Sequence, residues 1–444
     1  MKKLAYLTVA VLLITGCAKE TSKVAENTPV RQYITVAFSG KPEFVPHSAD
    51  NPSMGFCLGL IYEPLWRMSE DGTISPVLAK GIVNRGSEVD ISLTEGVKWH
   101  DGSEFIPEDV VYTISLITGG RSVYPKGIIE NAWVSGKSRV TVKLKAPIFA
   151  PENLFTFPVI KNKAPLHTDE PVGTGMYKFA GKGGFDTYLF EPFKDRQLST
   201  LRLIRVRDKT RETELFKSGI TDIQFVENNH LQEYIPLVNS TEIKYPTNHM
   251  IYIGFNRHKL SPDFRRGVFY ALDTKRISEE IYGRTAKATS VPYLSGDSFL
   301  YKHIPNLSLS RSELRAGGFS SHNGKLFRGN KPLMVRVGVA PGEGHHLVAE
   351  ALAKTLAQMG ADCVAEDLNP AFTEDYDIIV ATENTSELLE QITGSSRCSD
   401  SEVGFNNAIF TDVPLIPVAF RCNAVYVSGV RKGEIGFPIP LFFW

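Results

Sequence analysis

The stretch from residue 333 to 366 constrains the fold more than any other part of the chain. LMVRVGV (333–339) reads as a strand, HLVAEALAKTLAQM (346–359) as a helix, and DCVAE (362–366) as a second strand after Gly360. Leu347, Val348, Ala351, Leu352, Thr355, Leu356 and Met359 follow 3,4 spacing, which lays one apolar stripe on a sheet. A strand, a helix and a strand in that succession predict a parallel pair joined by a right-handed crossover. At least one part of the molecule is therefore α/β.

Other segments point to antiparallel sheet. YITVAF (33–38), VDISL (89–93) and RVTVKLK (139–145) alternate apolar and polar residues, as half-buried strands do. Helices are punctuated by caps. Asp208 opens DKTRETELFKS (208–218) and Gly219 follows it, and Asp273 precedes a helix expected to run through Tyr282 to Gly283. The fold class expected is a mixed α/β and α+β chain without internal repeats.

The amino-terminal residues predict export. Lys2 and Lys3 precede an apolar run at 4–14, and small residues lead to Cys17. That pattern is a signal peptide (1–16), since the run is shorter than the ~20 residues a spanning helix needs. The segment 17–31 is polar and patternless, which suits a tether. Removing residues 1–16 takes two lysines from a balance of 49 basic and 49 acidic side chains, leaving a net charge of −2. No run of five like charges occurs, so binding to nucleic acid through a basic surface is not expected. Cys57, Cys363, Cys398 and Cys422 enter an oxidising compartment and allow one or two disulfides, whose pairing spacing cannot choose.

GVKWHDGSEFIPEDVVYTI (96–114) places His100 beside Asp101 and so raises the question of a catalytic pair. Adjacent residues on a strand point to opposite faces. Asp101-Gly102 is a strong turn dipeptide, and Pro107 with Glu108 and Asp109 starts a helix with carboxylates at its positive end. The stretch is expected to be a corner. No nucleophile elbow, HExxH helix or dinucleotide fingerprint is present, and GMYKFAGKG (175–183) has the wrong glycine spacing for a phosphate loop. His345 and His346 are neighbours, not the i, i+4 pair that grips a metal. Neither an enzyme nor a cofactor is expected.

Five blocks together resemble one family. LIYEPLWRMSEDGTISPVLAKG (60–81), residues 96–114, PVGTGMYKF (171–179), FNRHKLSPDFRRGVFYALDTKRI (255–277) and VPLIPVAF (413–420) are similar, in order, to segments of bacterial extracellular solute-binding proteins of the peptide/nickel type, which serve ABC importers. The resemblance implies a two-lobed periplasmic-binding-protein-like fold with a hinge and an extra inserted domain. Domain I would comprise 30–62, 170–252 and 413–444, domain II 63–169, and the second lobe 253–412. The Ile14-Thr15-Gly16-Cys17 stretch resembles a lipobox, which implies a lipid on Cys17. Partners would be short peptides and a membrane permease complex, with the protein itself a monomer.

The ligand segment departs from the family. Peptide-binding relatives carry a Trp and then an Asp-Tyr pair in the second lobe, whereas YDIIVATENTSELLEQITGSS (376–396) has neither. Glu383 either supplies that charge to a peptide's amino terminus or is a solvated loop residue. Asn384 and Tyr33 are further polar candidates for ligand contact. On the metal-chelate alternative, Arg121 and Arg397 would clamp carboxylates, although FTFPVIKN (155–162) lacks an arginine that the nickel branch carries and SSRCSD (395–400) lacks its histidine. A surface adhesin or scaffold that has lost transport is a third reading, and a hydrolase a fourth.

Overall fold

A computed structural model describes residues 32–48, 52–69, 71–196, 198–231, 233–294, 303–393, 406 and 409–429. Cys17, Arg397, Cys398, the signal and the tether lie outside these residues.

The strand-helix-strand unit takes the form its pattern implies. Strands Met334–Val339 and Asp362–Asp367 run parallel, in register from Met334↔Asp362 to Val339↔Asp367, with helix His345–Met359 between them. Gly360 ends the helix at φ 90°, a left-handed conformation that glycine adopts without steric cost. The buried stripe is Val348, Ala349, Leu352, Leu356 and Met359, and Leu347 is exposed instead. The helix is rotated because His345 is itself buried, its ring held between the Ala340 carbonyl (2.9 Å) and the Thr382 hydroxyl (2.8 Å).

These strands form one end of an eleven-stranded sheet. From that edge the order is Asp362–Asp367, Met334–Val339, Ile378–Asn384, Ser240–Phe255, Leu415–Ser428, Ile223–Val226, Tyr33–Ser39, Thr200–Val206, Thr187–Pro192 and Tyr177–Lys182, with Ala286–Ala288 added on Leu415–Ser428. Tyr33–Ser39 lies in the interior of the sheet, parallel to Thr200–Val206. It is buried on both faces, not on alternate residues as YITVAF suggested, because elements cover both sides of the sheet there.

The two central strands, of 16 and 14 residues, are the longest and join the two halves of the sheet. Their antiparallel register shifts between Pro246 and Met250 and again between Ile251 and Tyr252, which pairs with Pro417. A proline has no N–H to donate to a ladder, so prolines collect at such irregularities. Side chains alternate across this pair. Met250 and Tyr252 enter one hydrophobic core, which extends over the first half of the sheet, while Ile251, Ile253 and Phe255 enter another on the opposite face.

Residues 79–144 build a separate antiparallel sheet in the order Ala79–Asn84, Glu88–Leu93, Arg139–Leu144, Ile129–Gly136, packed against helix Pro107–Thr118. The stretch 96–114 is a corner leading into that helix. Gly102 has φ 85°, and the buried Asp109 carboxylate accepts from the backbone N–H groups of Ile106 (2.8 Å) and Asn162 (2.8 Å) and from the Trp99 indole (3.0 Å). His100 and Asp101 serve different partners. The Gly173 N–H donates to His100 Nδ1 (3.1 Å), so the other nitrogen carries the proton and donates to the Gly175 carbonyl (3.1 Å). Asp101 instead pairs with Lys161 (2.5 Å) and Ser103. The expected helices are capped as read: Asp208 accepts from Arg211 N–H before Lys209–Lys217, and Asp273 from Arg276 N–H before Thr274–Ile281.

Cys57, Cys363 and Cys422 are free, the first and last buried in different parts of the sheet packing, so the disulfides that four cysteines allow do not form among them. Among the described residues no helix is long and apolar enough to cross a membrane.

Candidate functional site

A small cavity of about 40 Å³ lies where the two halves of the molecule face each other. One wall comes from the loop after helix Pro107–Thr118 (Tyr124, Lys126) and from Asn153, Thr156 and Phe157. The other comes from Asn248 on a central strand and from Asn384, Thr385, Ser386 and Leu389, where strand Ile378–Asn384 passes into helix Thr385–Thr393.

His47 organises the first wall. Its Nε2 donates to the Pro158 carbonyl (2.8 Å), which leaves Nδ1 to accept from the Ser122 hydroxyl (2.8 Å). The Val123 N–H donates to the His47 carbonyl (3.0 Å), so one residue ties the loop at 40–48 to both wall segments. Burial holds the His47 ring neutral by lowering its pKa to about 4, against the Pro158 hydrogen bond that favours the cation. Tyr124 and Phe157 pack edge-on against the same ring, at centroid distances of 5.2 and 6.4 Å.

The second wall is pinned by Asn384, whose Oδ1 accepts from Ser386 N–H (3.0 Å) and Ser386 Oγ (2.7 Å) at the entry to the helix. Leu388, Leu389 and Ile392 are buried in the same core as Leu154 and Phe157. The closest approach is at Gly127, with φ 51°, where a Cβ would meet the Ser386 carbonyl oxygen at 2.6 Å. Only glycine fits there without parting the walls. Phe149 and Tyr293 meet across the same gap at 5.1 Å.

The cavity has room for about three waters, and far less than the 300 Å³ or more usual for a small-molecule site. Its polar lining is amide and hydroxyl, with Lys126 as the one charged residue. Among the described residues no group of three His, Cys, Asp or Glu side chains could hold a metal ion. Two larger hollows, of about 290 Å³ beside Tyr62, Lys161 and Lys163 and about 460 Å³ beside Arg257, Arg265 and Asp412, are each bounded from one side only. Neither lies between the halves.

Of the residues singled out from sequence, Asn384 lines the cavity and Glu383 adjoins it. Glu383 is half-buried beside Met250 on the paired strand, and its carboxylate has no hydrogen-bond or ion-pair partner among the described residues. Burial and the nearby Glu383 carboxylate raise the pKa of Tyr252 to about 12. Arg121 is exposed at the end of its helix, three residues before Tyr124, and does not line the cavity. Tyr33 starts its strand, under the Arg202 guanidinium at 5.2 Å, at the opposite end from the loop that carries His47. Arg397 lies outside the described residues. Lys126, Asn153, Thr156, Asn248, Thr385 and Ser386 were not foreseen. They are common loop residue types, and only the tertiary fold collects them.

Comparison with known proteins agrees with this architecture. Residues 73–388, well over half of the chain, match the family described as bacterial extracellular solute-binding proteins, family 5 Middle. A Brucella ovis protein named for peptide binding in an ABC transporter is 24% identical over 318 residues, covering 64% of this chain; the chain spans 57% of that relative's length. Among solved structures, a nickel ABC transporter protein from Bacillus halodurans matches with TM-score 0.64 and 17% identity, covering 92% of this chain and 98% of that one. An ABC transporter substrate-binding protein from Sinorhizobium meliloti matches with TM-score 0.60 and 16% identity, covering 89% and 95%. The fold is accordingly the two-lobed one of periplasmic binding proteins, with the central strand pair joining the lobes. The chain belongs to the family 5 bacterial extracellular solute-binding proteins.

Proposed function

We propose that this protein is the substrate-binding component of an ABC importer, which captures short peptides between its lobes and delivers them to a membrane permease. The observation that carries the reading is the polar part of the lining of the gap between the lobes: amides, hydroxyls and one lysine, the groups that pair with peptide N–H, C=O and carboxylate, set among Leu154, Phe157 and Leu389. The half-buried Glu383, which adjoins the lining residue Asn384 and has no ion-pair partner among the described residues, is assigned to the ligand's ammonium. Because about 40 Å³ is too small for a peptide, the lobes part for entry, and the inner side chains of the two walls repack around bound ligand while Gly127 again meets Ser386 at the rim. Domain I (30–62, 170–252, 413–444), domain II (63–169) and the second lobe (253–412) are the moving and inserted parts, a division supported by the separate sheet at 79–144. Export and a lipid on Cys17 would hold a monomer at the membrane, facing the periplasm or cell exterior.

Calorimetric titration of the wild type and Glu383→Gln with a mixed tripeptide pool, and with nickel plus histidine, tests the ligand. A charged hydrogen bond of about 1.5–3 kcal/mol predicts at least tenfold weaker peptide binding in the variant. Tight nickel–histidine binding without peptide binding would replace the peptide with a chelate, and binding of neither would favour a scaffold. For the anchor, Cys17→Ser should abolish fatty-acid incorporation and membrane partition; labelled fatty acid on the variant would contradict it.

A further inference from the structure

The two central strands are weakest where they change register. Thr247, Asn248 and His249 on one strand stand opposite Arg421 alone on the other, and two rungs later Val418 is the extra residue. Bulges of this kind bend a strand pair. At this level Asn248 lines the gap between the lobes, while Arg421 is directed away from it, buried at 6% exposure.

The Arg421 guanidinium grips both lobes. Its Nη2 donates to Asn228 Oδ1 (3.0 Å), just after strand Ile223–Val226 of the first lobe, and to Glu343 Oε2 (2.8 Å), in the turn entering helix His345–Met359 of the second. It also lies 5.5 Å from the centre of the Tyr282 ring. A second arginine repeats the arrangement. Arg284, in the turn Gly283–Thr285, donates to Glu242 and to the Tyr426 hydroxyl (2.7 Å) at the far ends of the long strands.

We infer that Arg421 is a positioning residue that sets the angle between the lobes from the face of the sheet opposite the ligand gap. Bending at the bulges moves Asn228 relative to Glu343, so Arg421 must release one of them. A buried guanidinium separated from its carboxylate is an uncompensated charge, and the lobes therefore hold one discrete angle instead of sliding through a continuum. The latch requires no ligand.

The full chain without ligand tests this, carrying spin-labelled unnatural residues in place of Lys217 and Lys354, exposed on the two lobes. The wild type should give one narrow distance distribution. Glu343→Gln should raise the fraction of open conformers about tenfold. Asn228→Ala, which removes only a neutral partner, should move it in the same direction by less, and decides the matter if Glu343→Gln does not fold. Glu366→Gln, which breaks an exposed pair with Arg336 inside one lobe, is the control and should leave the distribution unchanged. Distributions identical to wild type in Glu343→Gln and Asn228→Ala would overturn the inference, as would equal broadening in all three variants.

Discussion

The two faces of the central strand pair are built from different chemistry. On the side of the gap, the lobes meet through Gly127 against Ser386, Phe149 against Tyr293, and Leu388, Leu389 and Ile392 in a shared core. On the other side they meet through Arg421 with Glu343 and Asn228, and Arg284 with Glu242 and Tyr426. Apolar and amide surfaces can exchange one partner for another, so a ligand can take the place of the opposing wall. An ion pair on a buried arginine such as Arg421 accepts few substitutes. On the proposed function and the inferred latch, the first face would select contents and the second would set geometry.

The largest effect is expected on the ionic side. Arg421→Ala removes a buried guanidinium with its hydrogen bonds to Asn228 and to the solvated Glu343, and should lower unfolding stability by about 3 kcal/mol, as expected for two charged hydrogen bonds. Denaturant titration should find the loss unchanged by saturating peptide. On the gap side, Leu389→Ala should cost about 2 kcal/mol, the low end for a buried leucine because the site already borders a cavity. In this case saturating tripeptide should restore part of the loss in the same assay, since the space created lies where ligand is proposed to bind. Equal rescue of both variants would erase the distinction between the faces.

Acid sharpens it. Burial depresses His47 and His100 to about 4, against an ordinary 6.5. Between these values the unfolded chain binds protons that the folded chain refuses, so stability falls as pH falls from 6.5 towards 4 and is independent of these two groups above that window. Each contributes a slope of at most about 1.4 kcal/mol per pH unit. His47→Gln should remove one such share from the slope measured by denaturation between pH 4.5 and 6.5. His249 and His345, near Arg421, are depressed by burial too, so part of the slope should persist in the variant. The smallest effect is at Asn384. Losing its bonds to Ser386 in Asn384→Ala should cost about 1 kcal/mol, read as a fall in melting temperature.

The elements whose signals are local could be read from sequence. Asp208 and Asp273 cap helices because a carboxylate before a helical run has one favourable use, and Gly360 ends its helix because the left-handed turn favours glycine. The corner at His100 was legible from Asp101-Gly102 and Pro107 alone. The rotation of helix His345–Met359 was not, because it is set by contacts of His345 with Ala340 and Thr382, the latter 37 residues away. The passage between lobes proposed at residue 252 falls inside the continuous strand Ser240–Phe255, which neither Thr247-Asn248-His249 nor Gly254 interrupts. Asn153, Asn248 and Ser386 meet only because distant segments converge, so periodicity could not find them.

On the proposed function, ligand is enclosed where Gly127 meets Ser386, and calorimetric titration of the full chain and Gly127→Ala with the tripeptide pool decides whether it is. A methyl group at 2.6 Å from the Ser386 carbonyl oxygen prevents full closure at that point. The wild type should bind, and the variant should bind at least about tenfold more weakly, a loss of about 1.4 kcal/mol, while remaining folded by circular dichroism. Equal affinity in the two proteins would place the ligand elsewhere and contradict the account.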